Sequence, residues 1–159
     1  MGKKFIFLDI DGVLNSDEWT KRYFRENLYY IPEIDQDLDP EALRKIDILV
    51  NETSGELVLT SYWRLDLEGT RKRLEYSGLR TKINYSLPVS PLESEPGWSR
   101  GKLISEFLNL KKNECERYII LDDTDDELSS HGKERFIKIN PVTGITEENI
   151  NRAIKLLNE

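Results

Sequence analysis

Asp9-Ile10-Asp11-Gly12, Thr60-Ser61 and Asp122-Asp123-Thr124-Asp125-Asp126 each follow directly on an apolar run. If the three runs are neighbouring strands, several carboxylates converge beside a pair of hydroxyls. Like charges crowded in this way repel strongly unless a cation is bound. An all-oxygen set with few protein carboxylates and room for water suits Mg2+. Two plainer readings compete. Asp and Gly gather in turns for conformational reasons alone, although a second acidic pair after another buried run, Asp122-Asp123, weighs against that. An EF-hand loop needs Gly at its sixth position, and Gly12 is the fourth residue counted from Asp9, so that alternative fails.

The rest of the composition narrows the chemistry to these groups. The single cysteine, Cys115, excludes an internal disulfide framework and a Cys-rich zinc site. The single histidine, His131, argues against a His metal cluster or a Ser-His-Asp triad. His131 reads as a surface residue in a polar loop, and Cys115, just before an apolar run, as packing.

The elements that must position the carboxylates alternate. Lys4–Leu8 is almost wholly apolar, as in a strand buried on both faces. Ser16 can cap a helix running to about Tyr30, closed by Pro32. Asp39-Pro40-Glu41 is a helix start, with Leu43, Ile46, Leu49 and Val50 on one face and Ser54-Gly55 at its end. Leu57–Leu59 is a second strand, 65–77 a helix stopped by Gly78, and Ile83–Leu87 a third strand. Pro88–Gly97 reads as a loop. A helix starts near Gly101, strands follow at Tyr118–Leu121 and Phe136–Ile139, and Thr146-Glu147-Glu148 opens a last helix. Such alternation predicts an α/β fold, a parallel sheet covered on both faces, with ligands gathered outside the carboxyl ends of the strands.

At 159 residues, with 38% hydrophobic and 33% charged residues, the chain reads as one domain over 1–159. Phe5–Leu8 stops at Asp9, far short of the roughly 20 residues of a membrane span, and no signal-peptide core precedes it. An intracellular, cytoplasmic location is therefore expected. The net charge of −7 argues against strong non-specific nucleic-acid binding. Oligomeric state leaves no mark in the sequence.

Phe7-Leu8-Asp9-Ile10-Asp11-Gly12-Val13-Leu14-Asn15 resembles the first motif of the haloacid dehalogenase (HAD) superfamily of phosphohydrolases. Leu57–Arg64 is similar to its second motif and Ile120-Leu121-Asp122-Asp123 to its fourth. The nearest likeness is to the small HAD domains of Swiss Army knife RNA-repair proteins. There the second motif is also followed by Trp-Arg, and a Gly-hydrophobic-Thr segment, here Gly144-Ile145-Thr146, precedes the last helix. The resemblance runs from about residue 4 to 158. It implies a Rossmann-like three-layer fold with a central, mainly parallel sheet.

By this resemblance Asp9 is the nucleophile, forming an aspartyl-phosphate, and also a Mg2+ ligand. Asp11 protonates the leaving oxygen and then activates water, and its backbone carbonyl is a second metal ligand. A strand would point Asp9 and Asp11 to the same face, which explains a spacing of two. Asp122 is the expected metal ligand from the fourth strand, with Asp123 as its partner. Asp126, one helical turn on, could hold a metal-bound water, or Asp125 and Asp126 could serve a helix N-terminus. Thr60 should hydrogen-bond a phosphoryl oxygen, while Ser61 assists or caps the next helix. The cation of the third motif is Arg100 or Lys102, in Ser99-Arg100-Gly101-Lys102. Tyr62, Trp63 and Arg64 could contact the rest of the substrate, with a packing role open for Trp63. Between Arg64 and Lys82, six basic residues against three acidic give a local +3, a landing face for phosphates or an ordinary solvated helix.

The gaps from Asn15 to Glu56 and from Arg64 to Ser99 are too short for an independent cap domain. A minimal cap leaves an open site. The expected substrate is a phosphorylated small molecule or a nucleic-acid end. A non-catalytic module holding a phosphorylated ligand and a dedicated 5′(3′)-mononucleotidase are the alternatives.

Overall fold

The computed structural model describes residues 2–26, 38–89 and 97–159. Among the described residues, five strands form one parallel sheet in the order β3-β2-β1-β4-β5: β1 (Lys3–Leu8), β2 (Glu56–Leu59), β3 (Ile83–Ser86), β4 (Cys115–Asp122) and β5 (Phe136–Lys138). The helices are α1 (Asp17–Glu26), α2 (Pro40–Thr53), α3 (Leu67–Tyr76), α4 (Arg100–Leu110) and α5 (Glu147–Asn158). The expected continuation of the first helix to Tyr30, its closure at Pro32, and most of the Pro88–Gly97 loop lie outside the described residues.

β1 is central, and Phe5 to Leu8 are completely buried because both faces are covered. The strand period of two divides its side chains. Ile6 and Leu8 join Leu43, Ile46 and Leu49 of α2 and Ile150, Ala153 and Leu157 of α5. Phe5 and Phe7 pack on the other face against Leu103, Ile104 and Phe107 of α4. The Phe107 ring meets both phenylalanines edge-on, at 5.3 and 5.4 Å. The result is the expected three-layer α/β arrangement. Among the described residues no helix is long and apolar enough to cross a membrane.

Local signals explain most boundaries. Asp39 caps α2 by accepting from Glu41 N, with Pro40 in the first turn. Thr146 and Asn149 close a reciprocal capping box on α5. Ser54, not Gly55, takes the left-handed conformation after α2, at φ 56°. The helix expected over 65–77 is two pieces. A 3-10 turn over Tyr62–Asp66 follows a Ser61 cap, and α3 starts afresh at Leu67 under an Asp66 cap. β4 starts at Cys115, earlier than its apolar stretch, because Lys3 and Lys4 of β1 pair with Cys115 and Arg117.

Candidate active site

The register of the sheet brings the three polar segments level. Leu8 lies opposite both Leu59 and Leu121, so Asp9, Thr60 and Asp122 emerge together at the carboxyl edge. Asp9 N donates to Leu121 O and Thr60 N to Leu8 O, each at 3.0 Å. Carboxylate oxygens of Asp9, Asp122 and Asp123 lie within 4.8 Å of one another. Asp9 and Asp122 are buried and Asp123 half-buried. Asp123 fits against the first turn only because residue 12 is glycine. A Cβ there would overlap the Asp123 carboxylate, and Gly12 holds φ +77°.

Arg100 enters this acidic cluster. Its Nη1 lies 3.2 Å from Asp9 Oδ1 and hydrogen-bonds Asp122 Oδ2. Asp122 Oδ1 accepts from the backbone N and hydroxyl of Thr124, at 3.0 and 3.1 Å. One guanidinium does not balance three carboxyls. Burial, then the Asp122 charge, push the Asp9 carboxyl up to about 8, against the opposing pull of Arg100. Asp123 is raised for the same two reasons.

The fourth-motif loop holds Arg100 in place. Asp126 Oδ2 accepts from Arg100 N at 2.7 Å, Asp126 O accepts from Gly101 N at 2.9 Å, and Ser99 Oγ donates to Glu127 Oε2 at 2.8 Å. A Cβ on residue 101 would come within 2.5 Å of Glu127 O, so only glycine permits this approach. Asp126 therefore serves the N-terminus of α4 and is not one helical turn beyond Asp122, since residues 123–127 form no helix. Asp125 accepts from Ser129 N. Lys102 is outside the cluster: its ammonium donates to Gly97 O.

Asp11 is placed differently from what the strand argument expects. β1 stops at Leu8, and a turn follows in which Val13 N and Leu14 N donate to Ile10 O. Asp9 is buried and Asp11 exposed, so the two do not share a strand face. Instead Asp11 is held from both sides. Asn15 Nδ2 donates to Oδ1 at 2.9 Å and Trp63 Nε1 to Oδ2 at 3.2 Å. Asn15 Oδ1 also accepts from Gly12 N at 2.8 Å. The sequence reading missed Asn15 as a site residue. Its position four residues beyond Asp11 was the only local signal, and the Trp63 contact leaves none.

Thr60 Oγ1 is buried without a hydrogen-bond partner among the described residues. An orphaned hydroxyl at this edge is a ready donor to an anionic oxygen. Ser61 Oγ accepts from Trp63 N and so acts as a cap. Arg64, expected as a possible substrate contact, is 4% exposed and donates to the carbonyls of Thr60, Ser61 and Pro88, which braces the loops. The +3 stretch is dispersed. Arg73 lies over the Trp63 ring, while Arg71, Arg80 and Lys82 border an open hollow of about 850 Å3 beside the start of β3, away from the carboxylates. His131 is half-buried, not a free surface group. Its Nδ1 meets the Tyr118 hydroxyl and its Nε2 meets Gly101 O, both at 3.0 Å, bracing α4 from behind. Cys115 packs with the Phe5 cluster, and burial raises its thiol.

The donor set at Asp9, Asp122 and Asp123 fits a hard divalent cation: all oxygen, largely buried, and with more negative charge than Arg100 offsets. Neither the curated proteins nor the solved structures include a match to this chain. The family model for the HAD domain in Swiss Army Knife RNA repair proteins matches residues 5–150, from the first residue of the central strand's buried run into α5. With the motif residues level at one sheet edge and the match spanning nearly all of the chain, it belongs to the family of HAD domains in Swiss Army Knife RNA repair proteins.

Proposed function

We propose that the chain is a Mg2+-dependent phosphomonoester hydrolase acting on a nucleotide or polynucleotide end through an aspartyl-phosphate on Asp9. One observation carries this reading: three carboxyls from two strand ends within 4.8 Å, with the Arg100 guanidinium among them. Membership in the HAD family supports the reaction class, and the RNA-repair context of that family supports the substrate.

Mg2+ held by Asp9, Asp122, Asp123 and the Asp11 carbonyl would offset the charge between the phosphoryl oxygens and the carboxylates. An Asp9 oxygen attacks phosphorus, the bond to the leaving oxygen breaks, and Asp11 gives that oxygen its proton. Arg100 and the unpartnered Thr60 hydroxyl bind the equatorial oxygens. Water then attacks phosphorus while Asp11 takes its proton. Phosphate departs, the Asp9 carboxylate is regenerated, and Asp11 is again protonated. Its exposure allows Asp11 to exchange protons with solvent, and Asn15 and Trp63 keep its carboxyl aimed.

The test is phosphate release from mononucleotides and from oligonucleotides with a terminal phosphate, with and without Mg2+, for the native chain, Asp9→Asn and Asp11→Asn. Mg2+-dependent turnover abolished in both variants is the expected result. Metal-independent turnover, or full activity in either variant, overturns the mechanism. Retention of a phosphorylated ligand for hours without turnover would instead identify a binding module.

A further inference from the structure

Tyr62 stands two residues beyond Thr60, and its side chain is 61% exposed. Two guanidinium groups neighbour the ring, which keeps most of its surface in solvent. The Arg64 Cζ lies 5.7 Å from its centroid and the Arg100 Cζ 5.9 Å, within the range of cation–π attraction. Arg100 is the same side chain that pairs with Asp9 and Asp122, so the ring is tied to the reaction centre through one guanidinium. Arg64 is itself fixed by the backbone carbonyls of Thr60 and Ser61. The ring therefore has a defined orientation. The 3-10 turn capped by Ser61 carries it.

Tyr62 also borders a cleft of about 30 Å3 shared with Trp98, Arg100 and Asp126. That space accommodates little more than a water molecule. An aromatic ligand group must therefore lie on the open part of the Tyr62 ring, above the cleft.

We propose that Tyr62 forms a stacking subsite for the nucleobase of the substrate nucleotide, an inference resting on the hydrolase reading of the adjoining carboxylates. Flat aromatic rings held rigid and open to solvent are the surfaces on which bases stack, with a gain of about tenfold to a hundredfold in affinity per base. Arg100 Nη1 lies 3.2 Å from Asp9 and the Arg100 Cζ 5.9 Å from the Tyr62 centroid, so ring and carboxyl are neighbours of one guanidinium, an arrangement that a phosphate and a base joined through a sugar can occupy together.

The experiment compares adenosine 5′-monophosphate, ribose 5-phosphate and phenyl phosphate as substrates of the native chain, Tyr62→Ala and Tyr62→Trp. The native chain should prefer the nucleotide over ribose 5-phosphate by about tenfold to a hundredfold in kcat/KM. That ratio should fall to near one in Tyr62→Ala and persist in Tyr62→Trp. Equal loss on both substrates, no native preference, or a preference for phenyl phosphate overturns the subsite. Calorimetric binding of the same three compounds to Asp9→Asn in Mg2+ decides the point without turnover. If the native chain hydrolyses nothing yet Asp9→Asn binds the nucleotide preferentially, the hydrolase reading fails and the subsite stands. Turnover without base preference has the opposite meaning.

Discussion

Trp63 Nε1 donates to Asp11 Oδ2 at 3.2 Å, across 52 residues of sequence, and joins the segment after β2 to the turn after β1. The indole is fixed in turn. Arg73 of α3 lies over it at 5.8 Å, and Thr70 Oγ1 donates to the Trp63 carbonyl at 2.6 Å. Asn15 holds the other Asp11 oxygen. An exposed carboxyl that would otherwise rotate freely is thereby held to one orientation, as the proposed role of proton donor to a leaving group requires.

Trp63→Phe keeps the ring and removes the N–H. It should lower kcat about tenfold with little change in KM, because Asp11 loses its aim while the phosphate-binding groups stay in place. Steady-state kinetics on one nucleotide substrate checks this, with thermal unfolding as the control for packing. A change confined to KM would show that Trp63 touches substrate and does not position Asp11.

Asp9 makes the stability of the metal-free chain fall with rising pH. Its folded carboxyl is pushed up to about 8, chiefly by burial, whereas an unfolded Asp titrates near about 3.9. Between those values the folded state binds more protons than the unfolded state, so unfolding free energy decreases as pH rises. In chelator, Tm should drop from pH 5 to pH 8.5, and Asp9→Asn should flatten that dependence and be the more stable protein at pH 8.5. Added Mg2+ should raise Tm more at pH 8 than at pH 5, because the ligands must be ionised to bind it. Differential scanning calorimetry over this range reads all three effects.

How much of this was legible in the chain depends on how local each contact is. Asp9, Thr60 and Asp122 could be read because each directly follows a fully buried run, and parallel strands deliver their ends to one edge. Arg100 and Lys102 could not be separated. They share a helix turn, and which of the two side chains lies among the carboxyls depends on Asp126 and Glu127, which fasten α4 from a distant loop. The Asp9–Asp11 spacing suggested a shared strand face, but the strand stops at Leu8, and a local hydrogen bond from Asn15 with a long-range one from Trp63 holds Asp11 instead. His131 looked solvated because its loop is polar. Its partners, Tyr118 and Gly101, are 13 and 30 residues away. The break between the 3-10 turn and α3 did have a local sign, a second capping residue in Asp66.

Arg100→Gln should reduce kcat/KM by about a hundredfold to a thousandfold, the usual effect of deleting a charged group aimed at a transition-state oxyanion. Lys102→Ala should stay within about threefold, since the Lys102 ammonium is held by Gly97 O. The pair of variants, assayed on the same substrate, separates the two candidate cations. Equal losses in both would mean that Lys102 swings inward when substrate binds.

Gly101→Ala tests whether the loop truly sets Arg100. The added methyl would meet Glu127 O at 2.5 Å and the Glu127 carbonyl carbon at 2.8 Å, both backbone atoms that cannot rotate aside. Glu127 already sits at φ 59°, so the loop has little freedom to retreat. Overpacking of this kind destabilises by about 1–3 kcal/mol. Relief requires α4 to move away from the loop, which lengthens the Arg100 N–Asp126 and Gly101 N–Asp126 bonds and withdraws the guanidinium from Asp9 and Asp122. Activity should therefore fall further than stability alone explains, even well below Tm. Mg2+ affinity should change less, because the three carboxyls belong to the other side of the contact. Denaturant unfolding, calorimetric Mg2+ binding and kinetics on the one variant distinguish these effects. Native activity with lowered stability would show that Arg100 is aimed by its ion pairs alone and that the fourth-motif loop serves only to close the fold.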